Sequence, residues 1–523
     1  MRPGKRAALL GACILLASCG GGGGAAGGNT VPPVSAPSPT PALAADDWTT
    51  YAHDYERTGF EQKPNAISLA NVAQLRLAWR ITPDPACART AMANVVFADQ
   101  ASPLVANGLV YVADTCGVVS ALSRDTGSVA WQQQLPLASG DAVSGVYGTP
   151  TLADGALFVP VWGAGVKPAH GGYVAALDAM SGAVKWISAP LAAGTMRGEP
   201  LVVNGYVFEG ISGGDDDTGY INGGVVALSE STGQEVARFT VAPPASSYGN
   251  ADGGGSWSPI SYDGRFLYFG TGNTRDRLGY QDSVVQLDPG SMTPTSFVVP
   301  TYDGDSDEDV GGGEMLWGAN MYFSGKSGYF YGYPLLASNV PLFKTLINTY
   351  GSPSGAGGIS TPATDGSVIA VSSGYNQGTY QSDLDVFPVG SGTLRCKLQA
   401  TNSNLWSYAA FLKGIGFTPL DNGAPSGTPA GAANGPAPWF VAFDERCNII
   451  WKADPTQVMQ YFYGGPAVVP SGVYAADLGG NVYAWKLPAG TTAARTQALI
   501  RPAQRLHFRK RRYMPKALQS HEY

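Results

Sequence analysis

The sequence predicts an all-β protein, an eight-bladed β-propeller built from four-stranded antiparallel blades. One phrase recurs eight times at intervals of about fifty residues. Each copy holds several short runs of alternating apolar residues, and the repeats lack helical periodicity. The copies begin at Ser102, Thr149, Glu199, Ser258, Glu314, Thr361, Tyr408 and Gly465. A pair of β-sandwiches is the main alternative, but two sandwiches do not explain eight similar units.

Within a copy, the order of residues predicts one blade. In the first copy Leu104-Val105 precedes Asn107-Gly108, and Leu109-Val110-Tyr111 follows. An Asn-Gly or Asp-Gly pair between apolar runs predicts a hairpin, because the tight turns of hairpins need φ > 0. The later runs, which reach Leu122 and Trp131, supply the third and fourth strands. Four short strands in one copy are typical of a propeller blade.

The two ends of the repeat region are predicted to meet in one blade. The last copy ends at Trp485-Lys486-Leu487 and lacks a fourth strand. The run from Leu75 to Arg80, upstream of the first complete copy, is the candidate for that strand. Joining the ends in this way closes the ring and leaves no long open sheet edge. The propeller is expected to occupy residues 46–490.

Outside the propeller, three segments are predicted from composition. Residues 1–18 are expected to be a signal peptide, because three cations precede an apolar run that is too short to span a bilayer. Residues 19–45 are rich in Gly, Pro, Ser and Ala and are expected to form a flexible tether. Residues 491–523 hold eight Lys/Arg and one acid and are expected to be a disordered tail.

The end of the signal peptide carries a further motif. Leu16-Ala17-Ser18-Cys19 resembles the lipobox of bacterial lipoproteins. The resemblance implies cleavage before Cys19 and lipidation of its thiol. Gly20 stands where the inner-membrane retention signal carries Asp, which implies sorting to the outer membrane. We therefore expect a lipid-anchored periplasmic protein; a signal peptide with a chance cysteine is the alternative.

The net charge of −7 is the sum of a basic tail, residues 491–523, and an acidic remainder of the chain, which we call the body. Without the tail and the three leader cations, 21 Lys/Arg stand against 38 Asp/Glu. So acidic a body argues against nucleic acid as a partner. The basic tail is either disordered or touches anionic lipid headgroups.

The propeller holds four cysteines, Cys87, Cys116, Cys396 and Cys447. An even count in an oxidising compartment permits two disulfides in three alternative pairings. Proximity in sequence favours Cys87–Cys116 and Cys396–Cys447.

The fourth copy carries the most specific motif of the chain. Trp257, followed by Gly270-Thr271-Gly272-Asn273, resembles the signature of pyrroloquinoline-quinone (PQQ) dehydrogenases and of the related polyvinyl-alcohol dehydrogenases. Trp48-Thr49-Thr50-Tyr51 and the segment from Asn71 to Trp79 resemble the start of the same superfamily. The resemblance covers about residues 46–490. It implies a site on the propeller axis that oxidises alcohol groups with PQQ and Ca²⁺. The sequence lacks Cys-x-x-Cys-His, so no haem c is expected and an external acceptor would take the electrons.

The resemblance also assigns roles to individual residues. Trp257 would be the floor on which the planar quinone stacks, and Lys326 the cation that reaches the quinone oxygens. Asn273 would be a ligand of Ca²⁺, with Asp309 as a nearby metal-side carboxylate. Asp307 aligns best with the base that removes the alcohol proton as hydride leaves carbon.

Three positions depart from the family pattern. The metal-binding Glu is expected after Ser212-Gly213, where the shorter Asp215 is the one substitute. Asn222 stands where an Arg is expected, and the adjacent cysteine pair that caps the quinone is absent, since Cys116 stands alone. Each motif also has an ordinary interpretation: a core Trp, a turn, or a solvated Asp-rich loop.

The sequence therefore leaves different functions open. The first is a periplasmic quinoprotein dehydrogenase acting on a small-molecule or polymeric alcohol. The second is a non-catalytic interaction propeller that resembles the lipoprotein subunit of the outer-membrane β-barrel assembly machinery, with outer-membrane proteins as partners. A glycan- or polymer-binding propeller is a third, which rests on the aromatic content alone. Fold does not decide between them.

Overall fold

The computed structural model describes sixteen stretches of the 523-residue chain. They are residues 47–87, 101–137, 144–164, 171–191, 198–212, 222–242, 253–274, 277, 279–300, 308–335, 338–348, 360–374, 382–400, 407–420, 439–457 and 462–491. The predicted signal peptide, the tether with Cys19 and almost all of the predicted tail lie outside these residues. No helix in the described stretches has the length and apolar composition that a membrane span requires.

The described strands form eight four-stranded antiparallel sheets, which are the blades of the predicted propeller. This confirms the predicted fold class. Blades 1 to 4 consist of β2 (Leu104–Ala106), β3 (Leu109–Ala113), β4 (Val118–Ser123), β5 (Val129–Gln134); β6 (Thr151–Ala153), β7 (Ala156–Ala164), β8 (Gly171–Asp178), β9 (Val184–Ile187); β10 (Leu201–Val203), β11 (Tyr206–Ile211), β12 (Gly224–Ser229), β13 (Glu235–Thr240); and β14 (Ser261–Tyr262), β15 (Leu267–Gly270), β16 (Val284–Asp288), β17 (Thr293–Val298).

The remaining blades repeat the pattern, and the last takes one strand from the start of the chain. Blades 5 to 8 consist of β18 (Met315–Trp317), β19 (Asn320–Ser324), β20 (Tyr329–Pro334), β21 (Phe343–Leu346); β22 (Ala363–Thr364), β23 (Val368–Ser372), β24 (Ser382–Pro388), β25 (Cys396–Ala400); β26 (Ala410–Leu412), β27 (Ile415–Leu420), β28 (Trp439–Asp444), β29 (Ile449–Lys452); and β30 (Ala467–Val469), β31 (Gly472–Ala476), β32 (Val482–Lys486), β1 (Arg76–Ile81). A short 3₁₀ helix, Val72–Gln74, precedes β1.

The ring closes as the sequence predicts. Strand β1 pairs antiparallel with β32, with Ile81 opposite Val482. The blade order β1-β32-β31-β30 joins the two ends of the repeat region in blade 8. The first strands of neighbouring blades contact one another, which places them around the central axis.

The recurring turn residues have the conformation that the hairpins need. Asn107 and Gly108 have φ of 55° and 75°, and Asp154 and Gly155 have φ of 47° and 74°. Glycine and asparagine adopt this left-handed region at low cost, which explains why the pair recurs between the first and second strands.

In the first three blades, the Gly of the repeat contacts a Trp of the preceding blade. Trp131 of blade 1 covers Gly182 of blade 2, where a Cβ would lie 2.5 Å from the ring. The Trp131 Nε1–H donates to the carbonyl of Ala179 at 3.0 Å. Trp79 makes the same contacts from blade 8 to Gly127 of blade 1. The Thr-Gly or Ser-Gly and Trp elements of the repeat are therefore partners across a blade boundary.

The two disulfides also join neighbouring blades. Cys87, after β1, is bonded to Cys116 of blade 1, and Cys396 of blade 6 is bonded to Cys447 of blade 7. These are the pairings that sequence proximity favours.

Residues 48–61, which we call the hub segment, cross the axis beneath the first strands. Backbone carbonyls of the segment accept hydrogen bonds from the first strands of blades 2, 4, 5, 6 and 7, and Trp48 forms an antiparallel bridge with Val105 of blade 1. The bonds run from Leu152, Tyr262, Leu316, Thr364 and Phe411 to Thr49, Tyr55, Glu56, Thr58 and Gly59. The segment thus closes one end of the central channel.

Candidate functional site

The candidate site lies at the end of the ring opposite the hub segment, on blades 4 and 5. Trp257 precedes β14 and Asn273 follows β15, while Asp309 precedes β18 and Lys326 follows β19. In antiparallel neighbours, the start of one strand lies beside the end of the next. All four side chains therefore belong to the same end of the ring.

Asp309 is the centre of this group. It is fully buried, and its Oδ2 accepts a hydrogen bond from Lys326 Nζ at 2.6 Å. Its Oδ1 accepts the backbone N–H of Asn273 at 3.1 Å, which links blade 5 to blade 4. The backbone N–H of Lys326 donates to the Asp309 carbonyl at 3.0 Å. A buried carboxylate with a charged donor and a backbone donor is held in one orientation.

Trp257 supplies a partly exposed aromatic face next to this ion pair. Lys326 Nζ lies 5.5 Å from the centre of the Trp257 ring. The ring occupies the space that a side chain on Gly311 would take, so Gly311 is required for the ring to lie where it does. An aromatic ring close to a cation can bind a planar anionic molecule.

The other predicted site residues are distributed differently. Asp307 and Asp215, the predicted base and the substitute metal ligand, lie outside the described residues. Cys116 lies in the turn after β3, which is the blade 1 counterpart of the turn that holds Lys326. Burial raises the pKa of the neighbouring Asp114 to about 7. Asp114 and the two sulfurs of the Cys87–Cys116 disulfide lie within 4.8 Å of one another, but the disulfide occupies both thiols.

Beneath the site, the first residues of the eight copies occupy equivalent positions around the axis. In the sequence these residues served to count the blades, and no functional role was predicted for their polar side chains. Two are glutamates, Glu199 of blade 3 and Glu314 of blade 5, and both are buried, with 6% and 0% exposure. A third buried glutamate, Glu209, lies on β11. Among the described residues, neither oxygen of Glu209 or of Glu314 has a hydrogen-bond partner.

Arg57 of the hub segment is a fully buried cation whose charge acts on Glu199. Its Nε and Nη2 donate to the carbonyl of Ile260 at 2.9 and 2.7 Å, and its Nη1 donates to Thr50 Oγ1 at 2.8 Å. Tyr51, from the same segment, has its hydroxyl 3.1 Å from Thr361 Oγ1. The hub segment is therefore fastened to the inner ends of blades 4 and 6 by side chains as well as by backbone.

Burial dominates the electrostatics of the channel. It raises the pKa of Glu199 to about 8, against the opposing effects of the Arg57 charge and a backbone hydrogen bond from Thr149. Burial also raises the pKa of Glu209 well above its usual range, and the nearby charge of Glu199 adds to the effect. The pKa of Glu314 is raised well above its usual range by burial. Such carboxyls are candidates for ligand or proton binding.

The described residues fit a quinone better than they fit its metal ion. Trp257 offers the stacking face and Lys326 the positive charge that quinone oxygens need. For Ca²⁺, which takes six to eight oxygen ligands, Asp309 and Asn273 offer carboxylate and amide oxygens, but the Asp309 charge is already paired with Lys326. A complete metal site would therefore require Asp215, the substitute ligand that the sequence predicts.

The chain resembles both functional classes that the sequence leaves open. A family model described as outer membrane protein assembly factor BamB matches residues 67–275. A curated relative, the quinohemoprotein alcohol dehydrogenase of Comamonas testosteroni, is 26% identical over a match that covers 47% of this chain. The match spans 38% of the relative's length.

Solved structures share the fold across most of the chain. A europium-containing methanol dehydrogenase superposes with a TM-score of 0.66 at 17% identity, covering 85% of this chain and 98% of its own. The Comamonas testosteroni enzyme gives 0.65 at 16% identity, with coverages of 85% and 81%. BamB from Moraxella catarrhalis gives 0.51 at 15% identity, with coverages of 79% and 99%. At these identities the superpositions show the fold alone.

Proposed function

We propose that this protein, a PQQ-like β-propeller related to both the quinoprotein dehydrogenases and BamB, is a dehydrogenase that oxidises alcohol groups with PQQ and Ca²⁺. The observation that supports the proposal is the convergence of Trp257, Asp309 and Lys326 at one end of the ring. These residues come from two blades, and they are not part of the pattern that recurs in every copy. They occur along the chain in the order that the quinoprotein resemblance implies.

When bound, PQQ supplies the acceptor for hydride and Ca²⁺ supplies a Lewis acid. Trp257 would orient the ring by stacking, and Lys326 would hold positive charge beside the oxygens where negative charge develops. Asp309 keeps Lys326 in place through the 2.6 Å ion pair. Asn273 and Asp215 would hold the metal ion. Asp307 would take the hydroxyl proton of the alcohol, the role that the resemblance gives it.

A non-catalytic interaction propeller is the second candidate. The match of residues 67–275 to the BamB family model favours it. The departures at Asp215 and Asn222 favour it too, because a scaffold does not need a complete metal site. In that case the partners would be outer-membrane proteins. Both candidates are compatible with a lipid anchor on Cys19 in the periplasm, which is also part of the proposal.

The two candidates separate in one set of measurements. The purified protein is titrated with PQQ in the presence of Ca²⁺, and quinone retention is followed by absorbance and alcohol oxidation by dye reduction. The dehydrogenase proposal expects both signals, and it expects Trp257→Ala to abolish both because the stacking face is lost. Retention of no quinone by the wild-type protein at saturating Ca²⁺ would overturn it. Capture of outer-membrane assembly proteins would then support the scaffold.

Trp439→Ala provides a matched control. Trp439 of blade 7 also carries a lysine against its ring, with Lys452 Nζ at 3.1 Å from the ring centre. The control removes the same type of contact away from blades 4 and 5. It should therefore leave quinone retention and dye reduction unchanged.

A further inference from the structure

The Cys87–Cys116 disulfide lies at the same end of the ring as the candidate site, next to a buried carboxyl group. Cys87 follows β1 of blade 8, and Cys116 lies in the turn after β3 of blade 1. A carboxylate oxygen of Asp114 and the two sulfur atoms all lie within 4.8 Å of one another. This disulfide therefore has a titratable group close to both of its sulfurs.

The two sulfurs differ in their access to solvent. Cys87 is 2% exposed, whereas Cys116 is only partly buried. An incoming thiolate can therefore attack Sγ of Cys116, and Sγ of Cys87 is then the leaving group. A thiolate at Cys87 would be a charge in a buried position, and burial disfavours the charged form of a thiol. Exchange at this disulfide therefore needs a proton donor close to Cys87.

Asp114 has the position and the acidity for this task. Its Oδ1 accepts the backbone N–H groups of Cys116 at 3.0 Å and of Val118 at 2.9 Å, which hold the carboxyl group beside the sulfurs. Burial raises its pKa to about 7; the charge of Asp84 adds to this effect, and the backbone hydrogen bonds oppose it. Near neutral pH both protonation states are populated, so the group can give or take a proton.

We propose that the Cys87–Cys116 disulfide exchanges with external dithiols, and that Asp114 protonates Cys87 in the exchange. A thiolate of the dithiol attacks Cys116 Sγ, and the Cys87–Cys116 bond breaks as the new S–S bond forms. The electron pair leaves on Cys87 Sγ, which takes the proton of Asp114. The second thiol of the dithiol then attacks the sulfur of its partner in the mixed disulfide, which closes the oxidised dithiol and releases Cys116. The dithiol loses two electrons and two protons, and the two cysteines gain them.

The Cys396–Cys447 disulfide is an internal control for the test, which needs no PQQ. Both of its cysteines are partly exposed, and in the described part of the chain no carboxylate lies within 4.8 Å of both its sulfurs. The purified protein is reduced with excess dithiothreitol, free thiols are alkylated at intervals, and mass spectrometry of the peptides follows each disulfide. At about pH 6 Cys87–Cys116 should be reduced at least about tenfold faster, since general acid catalysis typically contributes about 10²–10⁴-fold. The ratio of the two rates cancels the titration of dithiothreitol itself, and it should fall as pH rises through about 7.

Two variants test the role of Asp114. Asp114→Asn removes the proton but keeps an oxygen that can accept the backbone N–H groups, so the ratio should drop at least about tenfold at about pH 6 and become independent of pH. An unchanged melting temperature and unchanged reduction of Cys396–Cys447 check that this variant is folded. In Asp84→Asn the neighbouring charge is gone, so Asp114 loses its proton at lower pH and the fall in the ratio should move to lower pH.

Equal rates for the two disulfides in the wild-type protein at about pH 6 would overturn the proposal. So would a ratio that Asp114→Asn leaves unchanged. If Asp114→Asn does not fold, the wild-type ratio and Asp84→Asn decide, because a ratio that does not change with pH in either protein would also overturn it.

Discussion

The ion pair between Lys326 and Asp309 makes a quantitative prediction about stability. Asp309 is fully buried and the Lys326 side chain is 17% exposed, so little solvent replaces the lysine when it is removed. Lys326→Met leaves the Asp309 carboxylate, among the described residues, with the backbone N–H of Asn273 as its hydrogen-bond donor. Removing one partner of a buried ion pair costs about 3–5 kcal/mol. We expect a loss of that size in the free energy of unfolding.

Urea unfolding followed by tryptophan fluorescence measures the effect. Lys397→Met is a matched control, because Lys397 Nζ lies 2.7 Å from Asp383 Oδ2 but its side chain is 43% exposed. An exposed pair of this kind contributes about 0–1 kcal/mol. Adding Asp309→Asn to Lys326→Met should recover most of the loss, because the unpaired charge is gone. A cost for Lys326→Met no larger than that of the control would refute the reasoning.

Two further predictions concern the hub segment and the blade contacts. Burial alone lowers the pKa of His53, but the contact of its Nδ1 with Asp54 at 3.2 Å and the nearby charges of Asp54 and Glu61 outweigh it and raise the pKa to about 9. Protonated His53 therefore contributes fully to the free energy of unfolding below pH 6.5, and this contribution is lost as pH rises through 9. The melting temperature of the wild-type protein should fall between these pH values, and that of His53→Asn should change less. Gly182→Ala should destabilise more than Gly155→Ala in urea unfolding, since both have positive φ but only Gly182 lies against a tryptophan. Strain at positive φ costs about 1–2 kcal/mol, so equal losses would show that the tryptophan contact is unimportant.

Much of the architecture follows from local sequence. Asn107-Gly108 and its counterparts specify hairpins, and the strand from Leu75 to Arg80 fits the blade that lacks one. The number of blades then follows from the number of copies. The residues of the contact between Trp131 and Gly182 are both part of the repeat, because Trp and Thr-Gly or Ser-Gly recur together. That they pair across a blade boundary is seen only in the structure.

The site residues that belong to a sequence motif could be predicted, but contacts that form only when the ring closes could not. Trp257, Asn273, Asp309 and Lys326 are far apart in sequence, and the family resemblance alone suggested that they meet. The proximity of Glu209 to the start of the third copy depends on how β11 packs beside the axis. The route of the hub segment depends on six blades at once, so no local pattern reveals it.

A crystal structure of the protein with PQQ and Ca²⁺ tests the proposed function most directly. The proposal predicts quinone density stacked on the Trp257 ring, with Lys326 Nζ within hydrogen-bond distance of a quinone oxygen. An unoccupied Trp257 face at saturating PQQ and Ca²⁺ would contradict the proposed dehydrogenase function.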